Sequence, residues 1–253
     1  MRGGPAARGA GRDAGRLAPP GRAPPGRATP VSDVYVYALL GEAPHPDAGA
    51  GLCAEPLRVV RVGDLVAAVG EMAERPPVSE ATLRAHDAVI RRLAGAVDAI
   101  LPVRFGSLLS ESGLADLLTA RGRELSEALA LVAGREQMTL RLLGAATPPA
   151  APAPPPDDLG PGARYLAARR AEWRRAREAP ELEPLRPWLE PLVRAERVTR
   201  HDTPPLIASV YHLIDRGAGA AYLAAVERVA LAAARVVATG PWPPYAFAPE
   251  ALG

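Results

Sequence analysis

The chain contains no lysine, and all 30 of its basic residues are arginine. That absence removes two chemistries. The phosphate-cradling loop G-x-x-x-x-G-K-[ST] needs its lysine, and Schiff-base catalysis needs a primary amine. A single cysteine, Cys53, excludes an internal disulfide and a cysteine-built metal cluster within one chain, and it fits a reducing cytoplasm. With no base or metal ligand beside it in sequence, Cys53 reads as an inert thiol. No apolar run has the length that spans a bilayer, and the start, Met1-Arg2-Gly3-Gly4-Pro5, lacks the apolar block of a secretory signal. Neither a membrane span nor export is expected. Also missing are a G-x-G-x-x-G that opens a helix after a strand and a G-x-S-x-G elbow, so dinucleotide and hydrolase sites lose their usual anchors.

What is present supports real cores: 253 residues, 48% of them hydrophobic. The formal charge of +2 is unevenly spread. Residues 1–30 hold six arginines against Asp13, a net of +5, which leaves 24 arginines against 27 acids, a net of −3, on the remainder. The basic signal therefore belongs to an N-terminal stretch of Arg, Gly, Pro and Ala without apolar period, which is expected to be a disordered tail. A slightly acidic body is poor ground for a phosphate-binding surface.

Order is expected from Asp33. Asp33 to Leu40 reads as a strand, and Leu57 to Val62 with Leu65 to Val69 as a hairpin about Gly63-Asp64. Ser79 caps a helix whose Leu83, His86, Ile90, Leu93 and Val97 form one apolar stripe. A strand from Ile100 to Arg104 follows. Pro102 cannot donate to a ladder, which favours an edge, and Arg104 is expected to pair with Glu111 or Asp98. One helix from Ser112 to Gly134 closes a first α+β domain, residues 31–134. From Gln137 to Leu143 the pattern returns to a strand, then a loop rich in Ala and Pro, a helix from Ala163 to about Glu178, and a proline-broken helical stretch from Glu181 to Glu196. Strands at Arg197–Arg200 and Leu206–Ile214, a helix from Ala218 to Ala234 and a strand at Arg235–Thr239 complete the chain. The order β-α-β-β-α-β predicts a second α+β domain, residues 135–253, of ferredoxin-like type with helical additions.

Candidate chemistry is sparse. His86 lies on an apolar stripe and reads as a core histidine. Only His201-Asp202 with His212 offers a convergent set, for a metal or acid-base site, and such loop-end groupings arise readily by chance. His45 stands alone, and Asp157-Asp158 reads as a loop end and helix cap. The βαββαβ order is also that of the RRM, which makes a nucleic-acid or regulatory module the alternative reading; yet Leu206–Ile214 offers only Tyr211 for stacking, and the RRM fingerprint is absent. One face of the 163–178 helix gathers Arg164, Arg170, Arg174, Arg175 and Arg177, opposite Tyr165, Leu166 and Trp173.

Three segments together resemble the GvpL/GvpF family of gas vesicle proteins: His86-Asp87-Ala88-Val89-Ile90 leading to Leu101-Pro102-Val103-Arg104-Phe105-Gly106; Gly162 to Arg170; and Thr239-Gly240-Pro241-Trp242-Pro243-Pro244-Tyr245-Ala246-Phe247. The resemblance covers residues 33 to 248. It implies a non-enzymatic accessory or minor structural protein, cytoplasmic or on the gas vesicle, whose partners are the hydrophobic shell protein and other gas vesicle accessory proteins. No cofactor, metal, nucleic acid, membrane or small-molecule substrate is expected. On that basis Arg164, Arg170, Arg174 and Arg177 are expected to supply charge to a partner, and Arg104, Phe105, Trp242 and Tyr245 apolar anchors.

Overall fold

The first expected strand forms as β1 (Asp33–Leu40), and every side chain in it after Asp33 is buried. A strand covered on both faces must lie inside its sheet. In the computed structural model, which describes residues 33–44, 49–144, 160, 162–166, 169, 178–231 and 234–250, it does so. The first sheet runs β2 (Leu57–Val62), β3 (Leu65–Glu71), β1 and β4 (Ile100–Pro102), all antiparallel, and β5 (Leu108–Ser110) also pairs with β1. Gly63, at φ +57, turns β2 into β3. The register slips between Val36 and Ala38, a bulge that sends Tyr37 and Ala38 to one face. That face, with Tyr35 and Leu40, packs on Val89, Ile90 and Leu93 of α1 (Glu80–Ala96), while Val34, Val36 and Leu39 face α2 (Glu111–Ala120) and α3 (Gly122–Val132).

The single helix expected from Ser112 is two. Arg121, at φ −111 and ψ 13, breaks it ahead of Gly122, so Leu114 and Leu118 of α2 and Leu125 and Leu129 of α3 reach one core from two directions. Each such fully buried leucine stabilises the fold by about 1.5–3 kcal/mol. The strand expected over Ile100–Arg104 is also shorter. It stops at Pro102, residues 103–107 loop out, and β5, not foreseen from the sequence, re-forms the ladder on the same edge of β1. The Val103 amide donates to the Tyr37 carbonyl at 2.9 Å and the Val36 amide to the Ser107 carbonyl at 2.9 Å, so the loop is a wide bulge in an edge strand.

The second sheet runs β7 (Val193–Arg200), β8 (Leu206–Asp215), β6 (Arg135–Leu143) and β9 (Arg235–Trp242), all antiparallel. In chain order this is the 2-3-1-4 arrangement of a ferredoxin-like sheet, and the whole is an α+β fold. Its helical face packs on Leu182, Leu185, on α4 (Arg186–Leu189) and on α5 (Gly219–Val226). β6 starts two residues early, at Arg135, β9 runs on to Trp242, and two further boundaries shift for a visible reason. β7 begins at Val193, because Leu192 and Val193 pack on this core and the ladder to β8 reaches back to Ile214. The last helix ends at Val226 rather than Ala234, since Val229 and Leu231 turn inward onto the same core.

The sheet face that an RRM presents to RNA is covered here. Tyr211 and Leu213 of β8 pack, with Phe247, into the core that also holds α3 and the first sheet. Residues 31–253 therefore form one unit. After β9 the chain passes Pro243 and Pro244 into a short 3-10 turn, Tyr245–Phe247, against β4. Gly240 makes that exit possible. Its φ is +129, and a Cβ there would stand 2.8 Å from the Gln137 carbonyl oxygen. Gly240→Ala should lower the unfolding free energy by about 1–3 kcal/mol in urea titration, as strained positions of this kind do.

Candidate functional site

Two consecutive residues of α1 hold the two most recognisable segments of the sequence. His86, 5% exposed, lies between them and the first sheet. Its Nε2 is 3.3 Å from the Val103 carbonyl, which can only accept, so that nitrogen carries the proton. Nδ1 then accepts from the Tyr35 hydroxyl at 3.1 Å, and that oxygen accepts from the Gly106 amide at 2.9 Å. Tyr37 stacks on the imidazole at 5.6 Å, and Phe105 meets it edge-on at 5.6 Å. Gly106, at φ +88, supplies the turn that aims its amide inward. The Leu101–Gly106 segment is thus pinned from within by a neutral histidine.

Asp87 and Arg91, on the next face of α1, take the other segment. The Tyr245 hydroxyl donates to Asp87 at 2.7 Å, and the Arg91 guanidinium lies over the Trp242 ring at 4.5 Å while it pairs with Asp87 at 2.6 Å. Behind them the Ala246 amide donates to Gln137 Oε1 at 2.8 Å and Arg197 donates to the Ala246 carbonyl at 2.6 Å. Trp242 is half-buried and Tyr245 is 36% exposed. Burial and the bond to Asp87 push the Tyr245 pKa up.

Arg104 departs from expectation. It is exposed and has no ion pair among the described residues, and Glu111 is taken by Arg58 instead. The bulge loop turns the guanidinium outward, so no burial demands a partner. Beside it opens a cleft of about 330 Å³. Val36, Val103 and Leu114 are buried at its floor, and Phe105, Leu108 and Leu117, half-buried, form its sides. Arg75 and Arg104 stand exposed at its rim, and no carboxylate among the described residues lines it. Arg75 and the leucines of β5 and α2 were missed from the sequence. Leu108-Leu109 between serines was the available signal for a further short strand.

Of the basic face expected on the 163–178 helix, Arg164 lies in a helical turn over 162–166 and is exposed, whereas Arg170, Arg174 and Arg177 lie outside the described residues. His45 and Asp157-Asp158 lie outside them too. His201 and His212 do not converge. His201 Nε2 is 3.0 Å from Ser209 Oγ, and His212, buried, sits 2.7 Å from Glu196 Oε2 and 2.6 Å from the Tyr222 hydroxyl. The bond to His212 holds the Glu196 carboxyl below its usual range. Among the described residues no three His, Cys, Asp or Glu side chains are grouped to hold a metal. Cys53 is exposed. No helix among the described residues is long and apolar enough to cross a membrane.

Fold and site together define an α+β protein with a ferredoxin-like second sheet and an apolar, cation-rimmed cleft beside the first. The chain belongs to the gas vesicle synthesis protein GvpL/GvpF family, whose model it matches over residues 33–249. Gas vesicle protein L of Streptomyces sp. (strain CB03234) is 30% identical, the match covering 85% of this chain and 92% of that protein. Two crystal structures share the fold. GvpF from Anabaena sp. PCC7120 superposes with a TM-score of 0.64 at 17% identity, over 86% of this chain and 96% of that one. GvpF from Microcystis aeruginosa gives 0.62 at 18% identity, over 85% and 98%. Family membership ties the chain to the gas vesicle.

Two outcomes follow for the site. Burial lowers the His86 pKa from its ordinary 6.5, so the unfolded chain binds a proton that the folded ring refuses. Stability is therefore full above pH 6.5 and falls as the pH drops below that value toward the folded pKa, with a slope of no more than about 1.4 kcal/mol per pH unit. His86→Gln should flatten that part of a urea-denaturation profile measured from pH 7.5 to 5. Arg104→Leu, by contrast, should leave the unfolding free energy within about 0.5 kcal/mol of wild type, as exposed unpaired positions do.

Proposed function

We propose that this protein is a non-enzymatic accessory or minor structural component of the gas vesicle, one that binds the hydrophobic shell protein, alongside other accessory proteins, and supports assembly. The observation that carries the reading is where the family's recognisable segments lie. Two of them, Leu101–Gly106 and Thr239–Phe247, are held against α1, the first walls a surface cleft, and among the described residues they enclose no nucleophile with an adjacent base. A subunit built to line a gas space exposes apolar surface before it is assembled, and a soluble partner must cover that surface. Within this proposal Arg104 and Phe105 face the partner, and Arg164, Arg170, Arg174 and Arg177 add a second, charged contact that speeds encounter. Trp242 and Tyr245 serve the contact indirectly, by holding the strand exit against α1. The division of the body near residues 134 and 135 belongs to the proposal as well, with the cleft on the first part and the arginines of 164–177 on the second.

The test is capture of co-expressed shell protein by the immobilised full-length chain. Wild type should retain it, and a variant with Arg170, Arg174 and Arg177 changed to Glu should retain at least tenfold less at low salt. Undiminished capture by the variant removes the charged contact from the proposal, and no capture by wild type removes the shell protein as a partner.

A further inference from the structure

The cleft beside Arg104 can be read further than its position. Its wall is tied down from two sides. The 103–107 loop is held by the Val103 and Ser107 backbone bonds to β1, and from inside by His86 and Tyr35, with the Phe105 ring set edge-on to both. A preformed wall spares a ligand the entropy of ordering it. The opposite wall is α2, which presents Leu114 and Leu117 three residues apart on one helical face. Between these apolar walls stands no carboxylate, while two guanidinium groups, Arg75 and Arg104, occupy the rim without ion pairs among the described residues.

That asymmetry defines the occupant. A purely apolar ligand would leave both arginines unused, and a purely acidic one would leave the leucines in water. We infer that the cleft is the docking site for an extended or helical segment of the shell protein that carries two or three apolar side chains followed at once by a carboxylate. The apolar side chains fill the space among Phe105, Leu108, Leu114 and Leu117, and the carboxylate is taken by Arg104 and Arg75, with guanidinium forks suited to bidentate pairing. This inference rests on the proposed function for the identity of the partner. It adds the site and the chemistry of the recognised segment.

The experiment uses the full chain and two probes. One is the shell protein in the capture assay. The other is 1-anilinonaphthalene-8-sulfonate, an apolar ring system with one anionic group, followed by its fluorescence. The variants are Arg75→Glu with Arg104→Glu, and Arg84→Glu as a control on an exposed arginine of α1 that is paired with Glu80. All three positions are exposed, and thermal denaturation checks that each variant folds. The expected result is loss of at least tenfold in both shell-protein capture and dye affinity for the double variant, with Arg84→Glu unchanged. Capture by the double variant equal to wild type overturns the cleft as the site while the proposed function stands. Equal loss with Arg84→Glu overturns it in favour of general charge attraction. Absence of capture by wild type overturns the proposed function, and the assigned occupant falls with it.

Discussion

The fold depends on a buried imidazole that must stay neutral. His86 reaches the core only because its two nitrogens find one acceptor and one donor, the Val103 carbonyl and the Tyr35 hydroxyl. A charged ring there would face a hydroxyl whose oxygen already accepts from Gly106 and a wall of aromatic carbon. With one proton the same ring completes a chain of bonds from α1 through β1 to the bulge loop. Such a chain is all-or-none: a missing member leaves a buried donor or acceptor unpaired, at about 1–3 kcal/mol. The phenol of Tyr35 is accordingly pushed up in pKa by burial, which keeps its proton available for the bond to His86.

The neighbouring positions on α1 extend this hold to the far end of the chain. Asp87 and Arg91 are one turn apart, so both can touch a segment lying alongside the helix, and they meet Tyr245 and Trp242 there. Each contact is part-exposed and individually modest. Their effect comes from where they act: Phe247, next to them, is buried in the core shared by α3, β8 and the first sheet. The strap therefore closes a layer that would otherwise open at the β4 edge. That closure also explains why the second sheet, although it has the strand order of an RNA-binding fold, cannot offer its open face to bases.

Much of this was legible in the sequence where the period was unambiguous. β1, the Gly63 hairpin, α1 with its Ser79 cap and the ferredoxin-like strand order all follow from apolar spacing and turn residues, and they stand as expected. The departures have one cause. Where a short segment had to choose between local preference and a core, the core won: Val229 and Leu231 left the last helix, Val193 joined β7, and Arg121 broke a helix so that two leucine pairs could converge. Arg104 went the other way. An arginine inside an apolar run predicts a buried pair, but the run proved to be half strand and half bulge, and period alone cannot show where an edge strand loops out. The cleft was invisible for the same reason, since Arg75, Leu108 and Leu117 come together only through that bulge.

The bulge loop has two sides with different duties, and this bears on how the family's motif should be read. Its inner side, Val103 and Gly106, is spent on His86 and Tyr35; on its outer side the Arg104 guanidinium makes no ion pair among the described residues. A motif can therefore be structural at one residue and available at the next, and choosing one role for the whole of it is a mistake. The two sides are also linked. A ligand that seats against Arg104 and Phe105 and binds only the folded loop stabilises the His86 lock by RT ln(1 + [L]/Kd), and by reciprocity the factor by which a charged His86 lowers the ligand's affinity is the factor by which the ligand lowers the affinity of His86 for a proton. Protonation of His86, which lies behind the loop and not against the ligand, then counts against any ligand seated there.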